Sequence, residues 1–326
     1  MSTRTSNEST PLLPSAASAS ASAFASARNH DDHASSSSSS SNRPVAAPRY
    51  FSDQVETQSR AASIALALQC IVAGFVDAAA YGTTKTWVAF MTGNLTQLMI
   101  SLVSLISISI RRPALDAHHI AILNTTSTLP RDELLQRLSL SLSSILGFCL
   151  GAYLCQLGIS RFGSSHRARL LFTPLCGSIV ACVIAALAFF DHRQGWQLAG
   201  RWGPIMLGLL AVSMGAQAAQ GQRSGNAPWA TTVVFTATLT QIFADPTFPL
   251  LANAGRQRVT SVLCLLLGAA LAQTLLEFLR AFRQHDDDDE VSEHPLSLPI
   301  ALLFLAVLQV WTALAWWLVP SASDAR

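Results

Sequence analysis

Charged side chains are scarce in this chain. Asp, Glu, Lys and Arg make up 12% of its 326 residues, against about 25% in ordinary soluble domains. Lysine occurs once, at Lys85, and the formal net charge is only +2. So few charges cannot cover a soluble surface, and they form no basic patch of the kind that nucleic-acid binding needs. We therefore expect a lipid bilayer as the main partner and no nucleic-acid partner.

Motifs for catalysis and for cofactor binding are also missing. The sequence has no Gly-Xaa-Ser-Xaa-Gly motif, no His-Glu-Xaa-Xaa-His motif and no ATP-binding motif. The acidic run at residues 286–290 is typical of a solvated loop. All six cysteines lie inside apolar runs, where small buried side chains are expected rather than a disulfide framework. We expect no enzyme activity, no cofactor and no metal site.

Long apolar runs are what the sequence has instead. Half of the residues are hydrophobic, and a helix of about 20 apolar residues crosses the roughly 30 Å hydrocarbon core of a bilayer. The predicted fold is an all-α, polytopic transmembrane helix bundle within residues 61–320. Its eight predicted spans cover residues 61–81, 86–110, 138–159, 170–190, 202–220, 229–251, 259–282 and 298–319.

The first 60 residues differ from the rest. They are rich in Ser and Ala and lack apolar periodicity, which predicts a disordered tail. With eight alternating spans, twelve arginines flank the membrane on the side of the termini, against seven positive residues on the other side. The excess favours cytosolic termini. We expect an integral, multi-pass protein of the plasma or vacuolar membrane.

Two stretches repeat one polar pattern. Residues 92–98 read TGNLTQL and residues 236–242 read TATLTQI, so four of seven positions are identical at an offset of 144. Small residues recur as well. Gly74 and Gly215 lie near the ends of the first and fifth spans, and Gly147 and Gly268 lie in the third and seventh. We interpret this as two parallel four-helix repeats, at residues 61–190 and 202–319. The alternative is chance similarity between short apolar strings.

Several of these motifs resemble one known family. Gly-Phe-Val-Asp at 74–77, Met-Thr-Gly-Asn at 91–94 and Met-Gly-Ala-Gln at 214–217, with a Thr-rich sixth span, are similar to the YoaK-type family, grouped as domain of unknown function 1275. The resemblance covers residues 61–319. It implies a multi-spanning, transporter-like membrane protein of unestablished activity and supplies no substrate. Ala237 stands where the family often has glycine, which predicts a less bent or less open second copy.

The polar residues of these motifs are the candidate site. Thr92 and Thr96 are i, i+4 neighbours, as are Gly93 and Gln97, so they share adjacent strips of one helix. A polar pocket between the two copies and simple interhelical hydrogen bonding are both open interpretations. The candidate substrate-binding residues are Asp77, Thr92, Gly93, Asn94, Thr96, Gln97, Gln217, Thr236, Thr240 and Gln241.

Asp77 has two possible roles. A carboxylate at membrane depth is able to couple transport to a proton or cation. It is equally able to bind the turn at residues 82–84. The leading hypothesis for the whole chain is a secondary transporter or permease of a small solute. The alternative is a structural or adaptor membrane protein without transport.

Overall fold

The computed structural model describes residues 54–56, 59–111, 130–163, 165–190, 198, 200–224, 235–245, 253–283 and 297–322. They belong to one compact unit, Ala47–Arg326. Most of the predicted disordered tail, the acidic run at 286–290 and the ends of the predicted sixth span lie outside the described residues.

The described residues contain eight helices, one for each predicted span. They are α1 (Arg60–Thr84), α2 (Met91–Arg111), α3 (Arg131–Phe162), α4 (Arg167–Phe190), α5 (Gly203–Arg223), α6 (Phe235–Phe243), α7 (Asn253–Arg283) and α8 (Ser297–Trp317). Among the described residues, β-structure is confined to two isolated bridges. The all-α prediction is therefore confirmed.

Six of the described helices are long and apolar enough to cross a membrane: α1, α2, α3, α4, α7 and α8. The eight predicted spans are not confirmed. Within the described residues, helix α6 has nine residues, or about 14 Å of helix, which is too short to span. Helix α5 has the length, but its glutamines and glycines lower its mean hydropathy. It is nevertheless a central helix of the bundle, with Met206, Leu207 and Leu210 buried.

Two pairs of helices touch backbone to backbone at glycines. Where α1 crosses α7, a Cβ on Gly74 would overlap the carbonyl of Leu265, and a Cβ on Gly268 would overlap the carbonyl of Ile71. Where α3 crosses α5, Gly151 meets the carbonyl of Val212 and Gly215 meets that of Phe148. Small residues allow such close approach, and dispersion contacts then hold helices together in lipid.

The remaining helices pack around these crossings. Helix α8 lies against α4 and α1, α4 also contacts α5, α2 packs on α3, and α6 packs on α7. The outer faces of α2, α3, α7 and α8 are apolar and exposed, as lipid contact requires; examples are Val103, Leu146, Leu150, Leu267 and Trp311.

Contacts along each pair give the helix directions. Helices α1 and α7 run parallel, since Gly74 meets Leu265 and Gly82, two turns later, faces Leu276. Helices α3 and α5 are also parallel, as the matching of Gly147 with Gly208 and of Gly151 with Val212 shows. Helix α4 is antiparallel to α8, because the Arg167 guanidinium at its start donates to the carbonyl of Trp317. It is antiparallel to α5 as well, since Leu170 O accepts from Gln220 near the end of α5.

Three distant segments meet at one end of the bundle, here called the terminal end. Residues 54–56 precede α1, residues 165–166 lie between α3 and α4, and residues 320–322 follow α8. Val55 N donates to Ser165 O over 2.9 Å, and Ala322 N donates to Gln54 O over 2.8 Å. The start of α1, the end of α3, the start of α4 and the end of α8 therefore share a side.

This arrangement differs from the predicted alternation of eight spans, in which the first and third spans run in the same direction. Helix α1 leaves the terminal end and α3 returns to it, so these two helices run in opposite directions. Helix α5 likewise runs toward the terminal end and α7 runs away from it, with α6 between them. Hydropathy reports how apolar a segment is and carries no information on its direction, which explains the difference.

Filling a crossing should loosen the bundle. Gly74→Leu places a side chain where the Leu265 backbone lies, and overpacking of this kind costs about 1–3 kcal/mol. We expect a clearly lower thermal unfolding temperature for the detergent-solubilised protein, measured by fluorescence-detected size exclusion. Gly82→Ala is the matched control, because its Cβ would lie 3.9 Å from Leu276 Cδ1. Equal unfolding temperatures for both variants would contradict the crossing.

Candidate functional site

The connection from α1 to α2 is held by the Asp77 carboxylate. Asp77 lies on α1, seven residues before the helix ends at Thr84. Its Oδ1 accepts from Val88 N over 2.8 Å and from Ala89 N over 2.7 Å. Hydrogen bonds to an ionised acceptor are among the strong ones in proteins. Asp77 thus binds the backbone just before α2, as one of its two predicted roles anticipated, although at residues 88–89 rather than 82–84.

Asn94 completes this connection from the other side. Its side chain is fully buried, and its carboxamide pairs with both backbone groups of Trp87: Nδ2 donates to Trp87 O over 2.7 Å, and Oδ1 accepts from Trp87 N over 3.1 Å. Nδ2 also donates to Ser144 Oγ on α3. Ser144 in turn donates to Trp87 O. We call Asp77, Trp87, Asn94 and Ser144 the α1–α2 junction.

Aromatic rings cover the junction. Tyr81 stacks on Trp87 with 4.1 Å between ring centroids, and Phe90 meets Trp87 edge to face. Gly93 lies under the Trp87 and Phe90 rings, where a Cβ would overlap them. Gln97 Nε2 donates to Lys85 O over 2.8 Å. Lys85 itself ends α1 in a left-handed conformation, with φ of 56°.

The other predicted site residues lie apart from this junction. Thr92 and Thr96 are exposed, and Thr96 donates only along its own helix, to Thr92 O. Thr240 and Gln241 are exposed on α6. The side chain of Thr236 lies outside the described residues. Among the helices as described, α2 packs on α3 and α6 on α7, with no extensive interface between α2 and α6.

A second polar cluster, here called the amide cluster, lies between α4, α5 and α8. Gln217 on α5 donates through Nε2 to Gln309 Oε1 on α8 over 3.3 Å. Ser213, one turn before Gln217, directs its Oγ toward Gly177 of α4, and so does the Gln309 amide. Ser213, Gln217 and Gln309 are all buried.

Of these residues, only Gln217 was predicted from the sequence. Gln309 is the sole amide in the strongly apolar α8, and Ser213 precedes Gln217 by four residues. Polar residues at i, i+4 in a span, together with a lone Gln in another span, were the pattern that could have predicted the cluster. Ser144 was missed because serine is common within α3 and nothing in the sequence distinguishes it.

Buried arginines mark the terminal end. Arg167 donates to Trp317 O over 2.6 Å, and Arg169 donates to Gly163 O and to Cys155 Sγ. These contacts join the α3–α4 turn to the end of α8. Within the part of the chain that the structure describes, no group of three or more His, Cys, Asp or Glu side chains is arranged to hold a metal ion.

Comparison with known proteins places the chain in a family. A family model described as Protein of unknown function (DUF1275) matches residues 65–284. The chain belongs to this family. The resemblance seen in the sequence motifs is thus confirmed. No curated protein and no solved structure matches the chain. With its apolar helices, this DUF1275 protein is an all-helical, multi-pass membrane protein.

The single lysine of this DUF1275 protein offers a direct assay of the junction. Endoproteinase Lys-C cuts after lysine, and Lys85 is exposed beside the junction. Asp77→Ala removes the acceptor of two backbone N–H groups, which costs about 1–3 kcal/mol. We expect cleavage of the detergent-solubilised protein to accelerate by roughly 5- to 150-fold, because the open form becomes that much more populated.

Two variants complete this assay. Asp77→Asn keeps an acceptor oxygen and should accelerate cleavage much less than Asp77→Ala. Thr96→Ala removes a hydroxyl that bonds only within α2 and should leave the cleavage rate unchanged. Cleavage that is equally fast in all three variants and in wild type would refute the assigned role of Asp77.

Proposed function

We propose that this protein is a secondary transporter or permease of a small solute, built from two copies of one unit in opposite orientations. The observation that carries the proposal is the equivalence of the two glycine crossings. Inverted repeats with binding groups at their interface are a recurrent plan of secondary transporters.

The crossings correspond residue by residue. Ile71 and Gly74 of α1 correspond to Val212 and Gly215 of α5, 141 positions later in both cases. Phe148 and Gly151 of α3 correspond to Leu265 and Gly268 of α7, 117 positions later in both cases. Gly74 meets Leu265, and its counterpart Gly215 meets Phe148, the counterpart of Leu265. Gly268 meets Ile71, and its counterpart Gly151 meets Val212, the counterpart of Ile71.

Helix packing follows the same exchange of halves. Each of α1, α2, α3 and α4 can be exchanged with its counterpart among α5, α6, α7 and α8. The contact of α1 with α7 then becomes that of α5 with α3, and the contact of α2 with α3 becomes that of α6 with α7. The contact of α4 with α8 maps onto itself. A chance similarity of short strings has no reason to reproduce these contacts, which supports duplication.

The α1–α2 junction has a partial counterpart. At the offset of the Thr-Xaa-Xaa-Leu-Thr-Gln pattern, Asn94 corresponds to Thr238, and at the offset of the third helices Ser144 corresponds to Ser261. All four are buried. Asp77 corresponds to Ala218, so its carboxylate belongs to one half only.

The two halves are inverted under this proposal. Helix α1 leaves the terminal end, whereas α5 runs toward it, so each half contributes three spans: α1, α3 and α4, then α5, α7 and α8. Under this proposal α2 and α6 add no net crossing, although α2 is long and apolar enough to span. The duplication predicted from the sequence is kept, and its parallel, four-span form is replaced. We propose that the terminal end faces the cytosol.

A structural or adaptor role is favoured by one observation. Asp77, Asn94 and Gln97, three of the predicted binding residues, are engaged by backbone groups of the chain itself. Transport assays must therefore decide between the two functions.

Cysteine labelling tests the inverted arrangement. In a variant without the six native cysteines, Lys85→Cys and Ser165→Cys should react with a membrane-impermeant maleimide from opposite sides of sealed vesicles. Eight alternating spans place residues 85 and 165 on the same side. Labelling of both from one side would contradict the inverted repeat, and the side that reaches residue 165 reports the orientation of the terminal end.

Counterflow tests transport itself. Proteoliposomes containing the full-length protein, preloaded with one unlabelled solute, should accumulate the same labelled solute transiently, because a carrier exchanges solute across the bilayer. The panel covers polyols, urea, amides, amino acids and organic acids, with protein-free liposomes as the control. Absence of time-dependent uptake for every solute, with folded protein recovered, favours the structural role.

A further inference from the structure

The amide cluster lies at the middle of the bundle. Ser213 is the eleventh of 21 residues in α5, Gly177 the eleventh of 24 in α4, and Gln309 the thirteenth of 21 in α8. Each is therefore about 15–18 Å along its helix. Binding sites of secondary transporters lie at this depth, between the two repeats. Helices α4 and α5 come from different halves, so the amide cluster lies at such an interface.

The hydrogen bonding of the amide cluster is incomplete. Ser213 Oγ is buried and has no hydrogen-bond partner among the described residues, and only 8% of the residue is exposed to solvent. The bond between Gln217 and Gln309 is long, at 3.3 Å. A buried hydroxyl without a partner destabilises a fold. Binding of a solute during transport would explain why this hydroxyl is present.

Gly177 leaves a space that these polar groups enter. A Cβ at position 177 would overlap both the Gln309 amide and the Ser213 hydroxyl. Two polar groups from two helices are thus directed at one point on the backbone of a third helix. Any larger residue at 177 would displace them.

Packing alone does not require polar residues here. In the other half, the positions that correspond to Ser213 and Gln217 are Val72 and Val76, and both valines are buried in the apolar core. The fold accommodates valine at these places, and polar groups at membrane depth are costly. The presence of the polar residues Ser213 and Gln217 in one half alone points to a role beyond packing.

We propose that Ser213, Gln217 and Gln309, packed against Gly177, form the binding site for a small, uncharged polar solute such as a polyol, urea or a simple amide. The inference rests on the proposed transport function. Carboxamide and hydroxyl groups donate and accept hydrogen bonds without net charge, and none of the four residues is ionisable. The solute takes over the bond between the two amides and supplies the partner of Ser213.

Two substitutions test the site by uptake and stability together. Ser213→Ala and Gln309→Leu should each lower uptake of the uncharged solutes by about 3- to 30-fold, the equivalent of one lost hydrogen bond in a membrane protein. Ser213→Ala should at the same time leave the thermal unfolding temperature unchanged or raise it, because it removes an unpartnered hydroxyl. A purely structural serine predicts a lower unfolding temperature and normal uptake.

Thr312→Val is the matched control. Thr312 is buried on α8, one turn from Gln309, and its hydroxyl donates only to Leu308 O of its own helix. The variant should transport normally. If the Ser213→Ala and Gln309→Leu variants take up solute at the wild-type rate, the site is overturned but the transport function is not. Uptake confined to charged solutes overturns the solute class, and wild type without any uptake overturns the proposed function and the site with it.

Discussion

Close contact between helix backbones is the constraint on which this structure depends. Lipid tails are as apolar as leucine, so burial of apolar surface does not by itself drive helices together in a bilayer. Glycines at the crossings of α1 with α7 and of α3 with α5 allow the backbones to touch. These contacts fix the helix pairs as parallel, and α4 and α8 pack antiparallel beside them. The directions of α1, α3, α4, α5, α7 and α8 follow from that small set of contacts.

Much of the fold could be predicted from the sequence. Apolar runs predicted a helix at each of eight places, and the recurring glycines Gly74, Gly147, Gly215 and Gly268 indicated a repeat whose copies meet at these residues. The direction of each helix could not be predicted, because hydropathy does not report which way a segment runs. Alternation was therefore assumed for α2 and α6. The sixth span was predicted to end at residue 251, whereas helix α6 ends at Phe243, since a Thr-rich apolar run does not reveal where its helix ends.

The site was predicted less well, for a physical reason. Asp77 and Asn94 stood out as polar residues in apolar surroundings, but their partners are backbone groups of residues 87–89. Bonds of that kind depend on the path of the turn, which the composition of the turn does not determine. Gln309 and Ser213 come together only because α4, α5 and α8 converge, and that convergence is a tertiary property.

The orientation of the two halves can be measured most directly at the terminal end. Gln54 and His166 face each other in an antiparallel bridge, so their Cα atoms lie about 5 Å apart, within reach of a disulfide. In a cysteine-free background, Gln54→Cys and His166→Cys should form an intramolecular disulfide upon mild oxidation. Gln54→Cys with Lys85→Cys should form none. If the inverted arrangement were wrong and eight spans alternated, residues 54 and 166 would lie about 30 Å apart across the bilayer, and the absence of the first disulfide would contradict the account.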